Sequence, residues 1–135
     1  MYIMSVDVGT ARTGVALSDK SEGFAFPKGV ITEYNRKKLI EKLSVMAKEL
    51  GAEMIVVGYP KNMDGSEGFR AERTRRFAEM LTQKTGIDCE FMDERLSTAE
   101  AYTYMNITGF SSKKRRGVID TLSAQVILQS YIDRK

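Results

Sequence analysis

The chain has no histidine, no tryptophan and a single cysteine among its 135 residues. Without histidine, Ser-His-Asp catalysis, Cys-His catalysis and histidine-ligated zinc are excluded. Without a second cysteine, no disulfide can form within the chain. Cys89 stands in an apolar strand pattern and is expected to be a small buried hydrophobic residue. Any metal site would therefore have to be built from carboxylates.

Long apolar runs are also missing, and no charged-then-apolar signal segment opens the chain. The sequence therefore predicts no membrane contact and a cytoplasmic location. Apolar residues make up 42% and charged residues 29%, which is ordinary for a globular protein. The length predicts one domain, residues 1–135, large enough to bury a core of its own.

Positive charge is unevenly distributed. Residues 101–135 contain six Lys and Arg against two Asp, whereas residues 61–100 contain seven basic and nine acidic residues. A basic C-terminal region favours a polyanionic partner there.

Five segments have the apolar pattern of strands: residues 1–7, 13–18, 23–31, 54–58 and 89–92. The first three follow one another closely, which predicts an antiparallel meander, with Pro27 at a bulge or edge position. The last two are separated from their predecessors by helical segments, which predicts parallel pairing through crossovers. The sequence thus predicts an α/β fold with a mixed five-stranded sheet flanked by helices.

Three segments have apolar residues at helical spacing, and a fourth begins with a capping box: residues 35–50, 67–85, 118–132 and a helix from Ser97. The expected inward faces comprise Phe69, Phe77, Met80 and Leu81 in one helix, and Ile119, Leu122, Val126, Ile127 and Tyr131 in the last. Residues 59–68 and 108–117 are predicted to be loops. Arg73 falls on an apolar stripe, so its head group must reach solvent or a partner.

Acidic residues fall where the predicted elements end. Asp7 ends the first strand, Asp93 and Glu94 end the last strand, and Asp120 lies in the last helix. Clustered carboxylates repel one another and are costly to desolvate unless a cation lies between them. Hard cations such as Mg²⁺ or Mn²⁺ prefer oxygen ligands, and a metal pair with bound water suits phosphodiester hydrolysis. The acids therefore indicate a carboxylate-based nuclease.

Each acid also has a simpler interpretation. Asp7 could be a turn residue, and Asp93 could cap the backbone after its strand. Glu94 could be a solvated surface acid, and Asp120 could complement the helix dipole in a first turn.

Basic residues near these acids are candidates for contact with nucleic-acid phosphate: Arg12, Arg95, Lys113, Lys114, Arg115 and Arg116. Such contacts would make binding salt-dependent. The alternatives are a solvated loop for residues 113–116 and ordinary ion pairs for Arg12 and Arg95.

Four blocks resemble, in order, the motifs of the YqgF/RuvX family of the ribonuclease H-like superfamily: Asp7-Val8-Gly9-Thr10-Ala11-Arg12-Thr13-Gly14-Val15-Ala16, Gly58-Tyr59-Pro60 with Asn62-Met63-Asp64-Gly65, Asp93-Glu94-Arg95-Leu96-Ser97-Thr98-Ala99-Glu100-Ala101, and Lys113-Lys114-Arg115-Arg116-Gly117-Val118-Ile119-Asp120. Together they cover nearly the whole chain. Tyr59 and Thr13 depart from the residues usual in the family, a smaller aliphatic residue and Ile.

The resemblance implies a ribonuclease H-like fold and a metal-dependent nuclease with Asp7, Glu94 and Asp120 as its acidic triad, with or without Asp93. Family members are described both as nucleases that mature the 5′ end of pre-16S ribosomal RNA and as Holliday junction resolvases. The expected partners are therefore RNA, with the ribosomal particle as a further candidate, or branched DNA. The expected state is a monomer or a homodimer.

Two other classes compete with a nuclease. Asp7 to Thr10 also fits the phosphate turn of actin-like and sugar-kinase ATPases, but that fold needs two facing domains and this length supplies one. A catalytically silent nucleic-acid-binding module with the same fold is the other alternative.

Overall fold

The computed structural model describes residues 1–9, 11–59, 68–93 and 112–134, without the side chains of Phe69 and residues 112–121. Its elements are β1 (Tyr2–Val8), β2 (Arg12–Ser18), β3 (Ala25–Thr32), α1 (Arg36–Leu50), β4 (Ala52–Tyr59), α2 (Phe69–Thr85), β5 (Cys89–Asp93) and α3 (Ser112–Asp133). In these ranges, no helix is both long and apolar enough to span a membrane.

The five strands form one sheet in the order β3-β2-β1-β4-β5. Strands β1, β2 and β3 pair antiparallel, whereas β4 pairs parallel with both β1 and β5. The predicted meander followed by two parallel strands is therefore confirmed. Strand β1 lies at the centre, so a residue at its C-terminal end also lies at the centre of one sheet edge.

The predicted irregularity at Pro27 is confirmed as a β-bulge. Val15 pairs with Gly29 and Ala16 pairs with Pro27, so Lys28 is an extra residue between them. Because proline cannot donate a ladder hydrogen bond, it is tolerated here on an edge strand beside a bulge.

Side chains alternate between two separate cores, one on each face of the sheet. Met4, Val6, Val15 and Val57 pack with α1 and α2, whereas Ile3, Ala16 and Val56 pack with α3. Helix α1 begins after Asn35, whose side chain accepts from the N–H of Lys38, and ends at Gly51 in the left-handed conformation. Each fully buried Val or Ile contributes about 1.5–3 kcal/mol by burial of apolar surface.

Two predictions about the helices were wrong. Residues 112–117 were predicted to belong to a loop but form the first turns of α3. Lys and Arg are good helix formers because their long chains lose little rotamer freedom, so a basic run does not mark a loop. Met80 was placed on the inward face but is 37% exposed, whereas Phe77 and Leu81 are buried as predicted.

The inward face of α3 also differs from the prediction. Leu122 and Val126 are only half-buried, and the buried side is Ala124, Ile127, Leu128 and Ile132. Small Ala124 lets the helix approach the sheet closely, which a count of large apolar residues does not detect. The predicted helix from Ser97 lies outside the described residues, as does residue 119's side chain.

Cys89 is half-buried rather than fully buried, against α2. Its sulfur accepts from Thr82 Oγ1 at 3.3 Å, and its thiol donates to the carbonyl of Ala78 at 3.7 Å. Burial raises the pKa of the Cys89 thiol above its ordinary value, so it stays protonated near neutral pH.

Candidate active site

Asp7 is the second-last residue of β1 and pairs with Gly14 of β2. Its side chain is half-buried at the sheet edge where β1 and β4 end. Asp7 belongs to a central strand that pairs with β2 on one side and β4 on the other, and this pairing restricts the movement of its backbone. In open α/β sheets, this edge is where ligands bind.

The turn after Asp7 requires glycine. The N–H of Gly9 donates to the carbonyl of Arg12 at 2.9 Å. A Cβ atom on residue 9 would lie 2.5 Å from that carbonyl oxygen, which is closer than real contacts allow. Gly9 therefore lets the chain turn tightly into β2, and Arg12, the first residue of β2, is brought back beside the end of β1.

Asp7 faces the α3 side of the sheet. Ile3 and Ser5, which share its strand parity, both contact that side: Ile3 belongs to the α3 core, and Ser5 Oγ donates to the carbonyl of Ala124 at 2.6 Å. This hydrogen bond is buried, and it fixes the height of α3 on the central strand.

Two glutamines give the direction of α3. Gln125 donates to the carbonyl of Ala25 at 3.1 Å, and Gln129, one turn later, donates to the carbonyl of Gly23 at 3.2 Å. Ala25 begins β3 at the end of the sheet remote from Asp7, and Gly23 precedes it. The helix therefore runs away from Asp7, and its N-terminal turns lie at the Asp7 end.

The backbone of Asp120 accordingly lies near the strand end that carries Asp7. Asp120 precedes Ala124 by four residues, or about 6 Å along the helix axis. Asp7 follows Ser5 by two residues, or about 6.6 Å along the strand. Both displacements from the Ser5–Ala124 contact lead to the same end of the sheet. The side chain of Asp120 is outside the described part of the molecule.

Asp93 ends β5, opposite Tyr59 of β4. Its parity is that of Cys89 and Phe91, which face α2: Cys89 contacts the α1/α2 core, and Phe91 packs edge-on against Tyr59 with ring centroids 5.1 Å apart. Met92 belongs to the other face. Asp93 and Asp7 thus occupy the same sheet edge but opposite faces, with β4 between their strands.

The remaining predicted site residues are described only in part. Glu94 and Arg95 lie outside the described residues, and Lys113, Lys114, Arg115 and Arg116 are described as helical backbone. Among the side chains that the structure does describe, no three acidic or cysteine residues form a metal-binding group.

A concavity beside this edge was not predicted from the sequence. It lies on the α1/α2 face next to Gly9 and is lined by Val8, Gly9, Arg36, Arg70, Arg73 and Thr74. The one sequence signal for it was Arg73, a charged residue on an apolar stripe, whose side chain is indeed exposed. Arg36 and Arg70 gave no such signal, because they are brought together only by helix packing.

The chain matches a family model described as "RuvX: Holliday junction resolvase" over residues 1–134. Among curated relatives, a protein of Clostridioides difficile (strain 630) named "Putative pre-16S rRNA nuclease" is 44% identical over 133 residues, which cover 98% of this chain and 94% of that protein. A relative with the same name from Anaeromyxobacter sp. (strain Fw109-5) is 41% identical over 133 residues, covering 98% and 97% of the two chains.

Solved structures share the fold at low sequence identity. RuvC of T. thermophilus in complex with a Holliday junction superposes with a TM-score of 0.61 and 10% identity, covering 99% of this chain and 95% of that one. The fowlpox virus resolvase bound to junction DNA gives a TM-score of 0.60 and 12% identity, covering 99% and 98%. These likenesses confirm the ribonuclease H-like fold. With the family match across nearly its whole length, the chain belongs to the RuvX family.

Proposed function

We propose that residues 1–135 form a single nuclease domain that hydrolyses phosphodiester bonds in structured nucleic acid, with the 5′ end of pre-16S rRNA as the favoured substrate. Family membership and the names of the curated relatives support a nuclease. The observation that carries the proposal is the juxtaposition of Asp7, at the end of the central strand, with the N-terminal turns of α3, in which Asp120 lies.

The proposed metal ligands are Asp7, Glu94 and Asp120. All are carboxylates, which fit the oxygen preference of Mg²⁺ or Mn²⁺, and the chain has no histidine to favour a softer metal. When bound, a pair of such ions would supply an activated water and stabilise the leaving 3′ oxygen. The protein's own contribution is to hold Asp7 rigidly, because β1 is paired on both sides.

Strand alternation favours Glu94 over Asp93 as the acid that joins Asp7. Asp93 shares the parity of Phe91, on the α2 face, whereas Met92 faces α3. Asp93 therefore does not face the side of the sheet that carries Asp7, which leaves Glu94 as the acid proposed to join Asp7. On this argument Asp93 is not a metal ligand, and its interactions are with groups on the α2 face of the sheet.

Phosphate contact is assigned to Arg12, Arg95 and the basic turn of residues 113–116. Arg12 lies beside the end of β1 through the Gly9 turn. Residues 113–116 begin α3, which supports a place for them at the Asp7 end of the sheet. Such contacts position the backbone of a nucleic acid without reading its sequence.

A Holliday junction resolvase is the second candidate. The description of the matching family model and the junction-bound structures of the same fold favour it. Symmetric cutting of a four-way junction needs two active sites and hence a homodimer, whereas maturation of an RNA end needs one. The oligomeric state therefore separates the two substrates in a way that the site alone does not.

The test is cleavage of a pre-16S 5′ leader RNA and a four-way DNA junction, each with Mg²⁺, Mn²⁺ or EDTA. Asp7→Asn should lower metal-dependent cleavage at least about 100-fold, since even residues that only support a ligand cost 10–100-fold. Asp19→Asn is the control, because Asp19 follows β2 at the opposite end of the sheet and should retain activity.

Three outcomes would change the proposal. Paired nicks in the junction with uncut RNA would assign a resolvase. Salt-sensitive RNA binding without any cleavage would favour the catalytically silent module. Full activity of Asp7→Asn would refute the carboxylate site itself.

In the same assay, Glu94→Gln should abolish cleavage and Asp93→Asn should retain most of it. The reverse pattern would contradict the argument from strand alternation.

A further inference from the structure

Three arginines surround one small concavity beside the turn that follows Asp7. Arg36 is the first residue of α1, and Arg70 and Arg73 lie in the first turns of α2. The concavity is completed by Val8 and Gly9, at the end of β1. Residues far apart in the chain thus bring three permanent positive charges to the sheet edge of the proposed active site.

Arg36 is held in place by two contacts. Its guanidinium lies 5.6 Å from the centroid of the Phe77 ring, and it donates to the carbonyl of Arg73 at 3.4 Å. Burial and then the like charge of Arg73 lower the pKa of Arg36 below its ordinary value. Arg36 and Arg73 therefore lie close enough for their charges to interact, so one anion could interact favourably with both.

The size of the concavity limits what it can bind. It offers about 70 Å³ of room. That is several times the 10–15 Å³ that one water needs, but well below the 300–1,000 Å³ of typical small-molecule cavities. Its size suits a compact anion such as a single phosphate group. Guanidinium groups suit phosphate in particular, because their planar donors match its oxygens.

We propose that Arg36, Arg70 and Arg73 bind a backbone phosphate of the nucleic-acid substrate other than the scissile one. The inference rests on the proposed function, since it takes the substrate to run across the Asp7 edge of the sheet. Val8 has the parity opposite to Asp7 and packs with the α1/α2 core. The substrate backbone would therefore be gripped on one face of the sheet and cut on the other.

The test is binding of fluorescently labelled pre-16S 5′ leader RNA in EDTA, at several salt concentrations. Without divalent metal the measurement does not depend on cleavage. The double variant Arg70→Gln/Arg73→Gln should bind about tenfold more weakly, as expected for losing a charged hydrogen bond. A plot of the logarithm of its binding constant against the logarithm of the salt concentration should be less steep by about 0.7, as expected for the loss of one phosphate contact on a single strand.

Arg76→Gln/Lys84→Gln is the matched control. It removes the same charge from the same helix, but Arg76 is 71% exposed and pairs with Glu72, and neither residue lines the concavity. The control should bind within twofold of the wild type. Arg36→Gln is measured separately, with its unfolding midpoint, because it also loses the contact with Phe77.

Equal weakening of both double variants would overturn the site and leave only general electrostatic attraction. Wild-type binding by Arg70→Gln/Arg73→Gln would overturn it too, while metal-dependent cleavage would still stand. If inorganic phosphate raises the unfolding temperature of the wild type but not of that variant, and both bind RNA equally, the concavity takes a free phosphate and the proposal fails. An absence of cleavage with a selective loss of RNA binding would retain the site and refute the nuclease.

Discussion

Thr13, the second residue of β2, has a buried hydroxyl without a hydrogen-bond partner in the described part of the molecule. It is 1% exposed and pairs with Val8 across the strands. Its strand parity is that of Val15, so it faces the apolar core under α1 and α2. An unpaired buried hydroxyl costs free energy because it has lost its water without replacement.

Replacing Thr13 by Val should raise the free energy of unfolding by about 1 kcal/mol. The methyl group keeps the shape of the side chain and removes the desolvated oxygen. Urea denaturation measures the change. Thr32→Val is the control, because Thr32 is exposed on the edge strand β3 and should change stability little. A destabilised Thr13→Val protein would mean that the hydroxyl has a polar partner.

The sequence predicted that Asp7, Asp93 and Glu94 lie at strand ends, but it did not predict the face of the sheet that each occupies. Asp7 could be assigned to a strand end because an apolar run stops there. Only the packing of each strand shows that Asp93 lies with Phe91 on the α2 face and that Asp7 lies with Ser5 on the α3 face. An alternating sequence predicts which residues share a face of a strand, but it does not predict which helix packs on that face.

At the scale of elements, α3 is positioned on the sheet by a few polar contacts as well as by its apolar side. Ser5 bonds to the backbone of Ala124, and Gln125 and Gln129 bond to the start of β3. These bonds set both the height and the direction of the helix. The position of Asp120 relative to Asp7 therefore depends on a serine that is remote from both in sequence.

Ser5→Ala should lower the free energy of unfolding by about 1 kcal/mol, the usual contribution of one hydrogen bond. It should lower the rate of cleavage more than stability alone explains, since the height of α3 is no longer fixed. Thermal unfolding and the cleavage assay measure the two effects. Ile55→Val on the opposite face costs a similar 0.5–1.5 kcal/mol and should leave the rate nearly unchanged. Equal rates in both variants would contradict the positioning role.

Periodicity predicted the elements that bury one regular face, and it failed where charge or small residues decide. Residues 54–58 and 35–50 were assigned correctly, because continuous and helical apolar patterns have few alternatives. The helical state of residues 112–117 was not predicted, because this segment contains no large apolar residue. Its helical state is compatible with Gly117 only because the rest of α3 packs on the sheet, which offsets the roughly 1 kcal/mol cost of a glycine.

At the scale of the whole molecule, two partly buried carboxylates have a lowered pKa and so link stability to acid. The hydroxyl of Ser21, followed by the backbone N–H of Phe24, lowers the pKa of Asp19 below its ordinary value of 3.8. Lys42, followed by the backbone N–H of Asn35, lowers the pKa of Glu33 below 4.5. Both groups bind protons less readily in the folded state than in the unfolded state.

Stability should therefore fall as the pH drops below about 4.5, starting near the ordinary values and continuing through the lowered pKa of each group. Above that range the contribution of both carboxylates is fully present. Unfolding midpoints between pH 7 and pH 2.5 measure the effect. Asp19→Asn/Glu33→Gln should be less stable at pH 7 but lose less on acidification; a parallel pH curve for this variant would refute the assignment.

The amino-acid sequence by itself identified the RuvX family through motifs across the chain, and its lack of histidine restricts the proposed metal site to oxygen ligands. It also determined the sheet, because strand and helix periods are local properties. Only the tertiary structure decided which face carries Asp7, which end of α3 lies beside it, and that Arg36, Arg70 and Arg73 meet at Gly9. These relations join residues distant in the chain, and they arise from packing, which no local pattern encodes.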